Sequence, residues 1–235
     1  MRVHVLGCHG PWPCANGATS GYLMEHNGKY ILMDCGSGVL GKLMALCDPA
    51  KLEGILLSHL HFDHASDLMV LRYYLEKMGR TLNVYIPAED QSAMRDMLCA
   101  PAFNVIPYPE KIELAGLEIT NFPVRHPVPC RAMRITDGEK VFVYTGDTND
   151  CPGLSGFAKD ADAILADAAF LQSEWHEKLP HMSAKGAAKM AVDAKAKALY
   201  LTHLPVGHAP ETLEKEAQEI FAGAISVRPG MVISL

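Results

Sequence analysis

The sequence predicts an α/β (α+β) chain, with helices laid outside β-sheets in one compact domain over residues 1–235. Three observations carry this reading. Short apolar stretches of strand length recur along the first two thirds, several joined by tight turns containing glycine. The last third alternates strand and helix patterns. No low-complexity linker or sharp charge shift divides the 235 residues, a length that fits one large domain or two small ones.

The elements follow in order. Arg2 to Leu6 alternates and stops at Gly7, as a strand does. Cys8 to Gly21, with Pro11 and Pro13, reads as a loop. Tyr22 to Glu25 and Tyr30 to Met33 flank Asn27-Gly28, a hairpin turn. The second of these strands ends in Asp34-Cys35-Gly36-Ser37-Gly38. Gly54 to Leu57 is a short apolar strand, and His59, His61, Asp63 and His64 crowd just beyond it. A helix from about Ala65 to Lys77 carries Leu68, Leu71 and Leu75 at helical spacing. Thr81 to Ile86 is a strand and Glu89 to Cys99 a helix. Ile112 to Leu114 pairs with Leu117 to Phe122 around Ala115-Gly116. Arg131 to Thr136 and Val141 to Tyr144 flank Asp137-Gly138. Then come strand Ala163 to Leu165, helix Ser183 to Lys195, strand Leu199 to Thr202, helix Glu211 to Phe221 and a short C-terminal strand. Ser183 is a good N-cap for its helix.

Composition narrows the function classes. With 49% apolar and 20% charged residues the chain is not disordered. No apolar run reaches the roughly 18 residues of a membrane span, and the first ten residues lack a secretory pattern. A cytoplasmic protein, without a membrane partner and expected as a homodimer, is the reading. The seven cysteines are scattered and form no CxxC pair, so they read as reduced thiols. A net charge of −6 weighs against non-specific nucleic-acid binding. The 11 histidines are the excess to explain.

His59-x-His61-x-Asp63-His64 places four metal-ligand side chains in six residues, where a strand gives way to a helix. Residues two apart on an extended stretch share a face, so His59 and His61 can hold one ion. Asp63 and His64 lie past the turn and can serve a second. His126, Asp147 and His203 each follow a predicted strand. One ion would then have His59, His61, His126 and Asp147, and the other Asp63, His64, His203 and the shared carboxylate of Asp147. Imidazole and carboxylate suit Zn²⁺ first, and also Mn²⁺ or Fe²⁺. Asp34 is expected to accept the free ring N–H of a ligand histidine.

This motif set, with Gly146-Asp147-Thr148 and Thr202-His203-Leu204, resembles the metallo-β-lactamase-fold hydrolase superfamily along essentially the whole chain. The resemblance implies a four-layer αββα sandwich, two divalent ions at one edge of it, and a metal-bridging hydroxide as nucleophile. The presence of Asp147 sets the chain apart from the true zinc β-lactamases, which lack a bridging carboxylate. Asp167 through His181-Met182-Ser183-Ala184 is similar to the part of ribonuclease Z and its phosphodiesterase relatives that carries an acid and then a histidine opening a helix. That implies His181 as general acid, oriented by Asp167 where relatives usually have Glu; Asp63 joins these two among the catalytic residues. Only 21 positions separate His126 from Asp147, too few for the transfer-RNA-gripping arm of full-length ribonuclease Z. Arg125, Arg131 and Arg134 lie in that region and can face a phosphate or solvent. The expected activity is hydrolysis of a small phosphodiester, such as a cyclic nucleotide or short oligonucleotide. Transfer-RNA 3′ processing, with RNA as partner, is the alternative; lactone or thioester hydrolysis is the third reading. Trp12 and His208 are placed at the border of the pocket.

Overall fold

The computed structural model describes residues 1–235. Two seven-stranded mixed sheets stack face to face. The first contains β1 (Arg2–Gly7), β2 (Gly21–His26), β3 (Lys29–Met33), β4 (Leu52–Leu56), β5 (Leu82–Ile86), β6 (Phe103–Pro107) and the last strand, β14 (Val232–Ser234). Its order is β14-β1-β2-β3-β4-β5-β6. The second contains β7 (Lys111–Leu114), β8 (Leu117–Pro123), β9 (Arg131–Thr136), β10 (Val141–Tyr144), β11 (Ala163–Asp167), β12 (Leu199–Thr202) and β13 (Ile225–Ser226), side by side in sequence order. The helices are α1 (Val39–Leu46), α2 (Phe62–Ala65), α3 (Leu68–Lys77), α4 (Ala93–Leu98), α5 (Leu154–Phe157), α6 (Ala184–Asp193) and α7 (Pro210–Gln218).

Each sheet starts antiparallel and turns parallel. Hairpins join β2 to β3, β7 to β8, β8 to β9 and β9 to β10. From β3 to β6, and from β10 to β13, every step is parallel. A parallel step needs a crossover, and helices supply each one. This is the αββα sandwich expected from the resemblance.

Period-two alternation builds the layers. Tyr22, Met24, Ile31 and Met33 face the second sheet, where Phe142, Tyr144 and Leu165 point inward from β10 and β11. Leu23 and Leu32, on the opposite face, join Val39 and Leu43 of α1 and Leu71 of α3. Outside the second sheet α6 buries Ala184, Ala187, Ala188 and Ala191, which lets its backbone lie close to the strands. Each fully buried large aliphatic side chain contributes about 1.5–3 kcal/mol. No disulfide is present, and Cys8, Cys35 and Cys130 are packed as buried apolar groups.

Some elements differ from the sequence reading. The helix expected from Ala65 is two helices, α2 and α3, broken at Ser66-Asp67, where Asp67 turns its carboxylate to the backbone N–H of Leu40. The helix expected from Glu89 begins only at Ala93, because the Asp90 carboxylate captures the Ser92 N–H and hydroxyl. Helices α1 and α5 and strand β6 fall in stretches left unassigned by pattern. No helix is long and apolar enough to cross a membrane.

The geometry that positions the site is simple. Strands β8, β10, β11 and β12 all point the same way, and their C-terminal ends face those of β3 and β4 across the sandwich edge. Open α/β sheets bind ligands at this end of their strands.

Candidate metal centre

The residues singled out in sequence converge at that edge. Beyond β4 come His59 and, through α2, His61, Asp63 and His64. His126 follows β8, Asp147 follows β10, and His203 follows β12. His59, His61 and His126 present ligand atoms to one point; Asp63, His64, Asp147 and His203 present theirs to a neighbouring one. His59 Nε2 lies 2.9 Å from His61 Nδ1, which lies 3.2 Å from His126 Nε2. Asp147 Oδ2 is 3.7 Å from His59 Nε2, 3.2 Å from His64 Nε2 and 3.1 Å from His203 Nε2. Asp63 Oδ2 stands 3.6 Å from His64 Nε2 and 3.3 Å from His203 Nε2.

These separations fit a cation. A tetrahedron with 2.0–2.1 Å metal–ligand bonds has edges of about 3.3 Å, inside the observed 2.9–3.7 Å. The buried atoms His64 Nε2 and Asp147 Oδ2 have no hydrogen-bond partner in the protein, a costly state for buried polar groups unless something else meets them. The outer partners point the same way. His64 Nδ1 donates to Asp34 Oδ2 at 2.8 Å, His59 Nδ1 to Ser58 Oγ at 3.0 Å, and His126 Nδ1 to the Pro180 carbonyl at 3.3 Å. Each such bond leaves the Nε2 lone pair aimed at the cluster.

Asp34 anchors this arrangement. Its fully buried carboxylate accepts the Ser58 N–H at 2.7 Å, the Ser58 hydroxyl at 2.8 Å, the Tyr144 hydroxyl at 2.7 Å and His64 Nδ1. Tyr144 belongs to the second sheet, so the carboxylate ties the two sheets together. Asp34 and His203 both take left-handed backbone, with φ of 57° and 54°. Such residues cost of order 1–3 kcal/mol and gather at functional sites. Two glycines let the chain close in: a Cβ on Gly36 would sit 1.9 Å from the Asp63 carbonyl, and one on Gly10 would sit 2.1 Å from the His203 ring.

The cluster is strongly polarised. Burial pushes His59 well below the usual imidazole range, and pushes His126 down to about 4. Burial disfavours charge on His64 and His203, but the neighbouring carboxylates together outweigh it: Asp147 and Asp34 hold His64 well up, and Asp147, Asp63 and Asp167 hold His203 at about 10. Asp147 is held well below the carboxylate range; burial opposes this, and His203 and His64 outweigh it.

His181 lies beside the cluster. Its Nδ1 is 2.7 Å from Asp167 Oδ2 and 3.9 Å from Asp147 Oδ2, and its ring stacks on His203 with centroids 4.5 Å apart. Asp167 is fully buried at the end of β11, its other bond to Oδ2 coming from the Thr148 N–H at 2.8 Å. Burial pushes the Asp167 carboxyl up, with the His181 charge opposing.

Sequence reasoning missed what holds His181 there. It sits in an irregular segment whose carbonyls are taken by side chains from the β8 and β10 ends. Arg125 Nη2 donates to the Glu177 carbonyl at 2.7 Å, and Asn149 Nδ2 to that of Leu179 at 2.5 Å. Trp175 Nε1 donates to the His181 carbonyl at 3.0 Å. Arg125 is therefore engaged with backbone; Arg131 pairs with Glu89, and Arg134 with the Phe157 and Lys159 carbonyls. The interval from His126 to Asp147 is filled by β9 and β10.

Comparison with known proteins places this geometry. Residues 29–204 match the family described as the β-lactamase superfamily domain. The chain belongs to the metallo-β-lactamase superfamily. It is 37% identical to the probable metallo-hydrolase YhfI of Bacillus subtilis, over 97% of this chain and 96% of that protein. The crystal structure of YhfI superposes with a TM-score of 0.94 at 33% identity, covering 99% of this chain and 98% of the other. Ribonuclease Z of Methanopyrus kandleri is 25% identical over 99% of this chain and 97% of its own. Membership thus lies in the ribonuclease Z-like branch of the superfamily, a family of metallo-hydrolases whose clustered histidines and aspartates suit divalent metal ions.

Proposed function

We propose that the protein is a phosphodiesterase acting on a small phosphodiester, such as a cyclic nucleotide or short oligonucleotide. One observation carries the reading: the His181–Asp167 pair stands 3.9 Å from Asp147 Oδ2, on the open side of the seven-residue cluster. A poor alkoxide leaving group needs a proton, and a histidine beside the centre can give one.

The two ligand groups, His59, His61, His126 with Asp147, and Asp63, His64, His203 with Asp147, would hold two divalent ions, Zn²⁺ first. Such ions lower the pKa of bound water towards about 7 and polarise a phosphoryl oxygen. The chain's own residues do the rest. Asp147 contributes to both groups through its carboxylate. Asp34, Ser58 and the Pro180 carbonyl fix the histidine tautomers. Asp167 accepts a hydrogen bond from the Nδ1–H of His181, which leaves Nε2 to face substrate and protonate the departing oxygen. A water oxygen joins phosphorus as the P–O bond to the leaving group breaks; the departing oxygen takes the His181 proton, the proton lost by the water passes to solvent, and solvent returns one to His181.

The test is metal analysis with a leaving-group series. Purified protein should carry about two ions and hydrolyse a nitrophenyl phosphodiester. His181→Ala should slow an alkyl ester at least tenfold more than the nitrophenyl one; equal losses remove the general-acid role. Turnover of acyl-lactones with none of phosphodiesters would refute the reading. Specific cleavage of precursor transfer RNA would favour the processing alternative.

A further inference from the structure

Beside His181 and His203 opens a cavity of about 490 Å³, within the roughly 300–1,000 Å³ of small-ligand sites. Trp12, Phe170 and Val206 supply its apolar surface. Phe170 lies next to the proposed acid, its ring centroid 6.2 Å from that of His181. Trp12 is 61% exposed, an indole held open to the cavity instead of packed in the core. Glu174 and His208 also line it, joined at 2.9 Å. No lysine or arginine is among the lining residues.

We infer that this cavity seats the nucleobase of a substrate bearing a single phosphodiester and turns away a second phosphate. The inference rests on the phosphodiesterase reading and adds the selection. Trp12 and Phe170 offer aromatic faces, on which any flat base stacks. Sites that follow a polynucleotide backbone need lysine or arginine for successive phosphates; here the wall offers neither, and its acid, Glu174, is paired with His208 at 2.9 Å, which occupies the one histidine that could meet a second phosphate there. A phosphate would instead be met by the ions that the seven-residue cluster would hold, beside His181 and His203 at the cavity's inner end. A base of one nucleoside fits between these demands, whereas an extended RNA strand leaves its next phosphate against a wall without lysine or arginine, beside the Glu174–His208 pair.

Three substrates separate the possibilities: a nucleoside 3′,5′-cyclic monophosphate, the same cyclic phosphate with a methoxy group in place of the base, and a 5′-phosphorylated dinucleotide. Bis(4-nitrophenyl) phosphate reports the basic chemistry. The metal-loaded wild type should prefer the cyclic nucleotide over the methoxy analogue by at least tenfold in kcat/KM, and over the dinucleotide likewise. Trp12→Ala should shrink the base preference about five- to 150-fold, the range for loss of one stacked base, while Trp12→Phe keeps it. The exposure of Trp12 makes misfolding an unsuitable explanation of a loss, and an unchanged melting temperature checks this. Glu174→Gln should raise dinucleotide turnover relative to cyclic nucleotide at least fivefold. Equal turnover with and without a base, a preference that survives Trp12→Ala, or a wild-type preference for the dinucleotide overturns the inference. Active hydrolysis of the nitrophenyl diester with any of these results leaves the phosphodiesterase reading standing; no turnover of any phosphodiester overturns both.

Discussion

Replacing Asp34 by Asn tests how the metal centre is aimed. The change keeps size and shape, and asparagine tolerates the left-handed φ of 57°. Chemically it is an inversion. Asp34 Oδ2 accepts three donors, from Ser58, Tyr144 and His64, at 2.7–2.8 Å. With the amide oxygen retained by the Ser58 N–H, the new NH2 faces all three. His64 must then turn its Nδ1 lone pair inward, which moves its proton to Nε2, the nitrogen meant for the cation. Loss of such an outer partner typically costs 10–100-fold in metal affinity, about 1.4–2.7 kcal/mol. Each buried donor left unmet costs about 1–3 kcal/mol. Allowing for hydroxyl rotation and the histidine's tautomer change, the metal-free fold should lose about 2–4 kcal/mol, or roughly 4–16 °C in Tm for a chain of this size. Chelator-competition titration and thermal unfolding of the metal-free form measure the two effects. A variant that binds its metals with wild-type affinity refutes the tautomer argument, whatever its Tm.

Other expectations follow from the same structure. Asn149→Ala frees the carbonyls of the His181 segment, so it should lower kcat for alkyl phosphodiesters at least fivefold more than for nitrophenyl esters while metal content holds; a uniform loss would show that Asn149 does not position the acid. Gly10→Ala forces a methyl into the His203 ring and should cost about tenfold or more in affinity for one ion, seen as a weaker second binding step in calorimetry. Asp162 accepts the Val141 N–H at 2.9 Å and the Lys197 ammonium at 2.8 Å; these outweigh burial and hold its carboxyl at about 2, below the ordinary value near 3.9. The sign is that of a depressed acid: its stabilisation is complete above pH 4 and disappears as pH falls towards 2. Lys197 and a second partner, Lys140 at 3.3 Å, are both exposed, so about 1–2 kcal/mol is expected, and the Tm gap between wild type and Asp162→Asn should close over that interval; a constant gap contradicts it.

Much of this was legible in sequence because the informative chemistry is local. Strand alternation, glycine turns and the His59–His64 run each announce themselves within a few residues, and ligands past strand ends follow from topology. Helix α1 was not legible: it is eight residues long and opens from Gly38 in a left-handed turn without a side-chain cap. Strand β6 ends in Pro107 at the sheet edge, where a missing N–H is tolerated, and so its pattern reads as a breaker. The Asp34 cage, the grip of Arg125 and Asn149 on distant carbonyls and the closeness of Gly10 to His203 depend on pairings 24 to 193 positions apart, which no window along the chain contains.

The seven converging side chains also have a mechanical meaning. They come from both sheets and span positions 59 to 203. A cation gripped by both sides acts as a reversible cross-link across more than half the chain, closing a large loop that an unfolded chain would have to restrain at an entropic cost. Metal supply would then set the lifetime of the folded protein as well as its activity, since whatever binds only the native state raises its stability by mass action. In a metal-poor environment the same sandwich is left to apolar packing and to ties across the sheets such as Asp34–Tyr144 and Tyr22–Thr202.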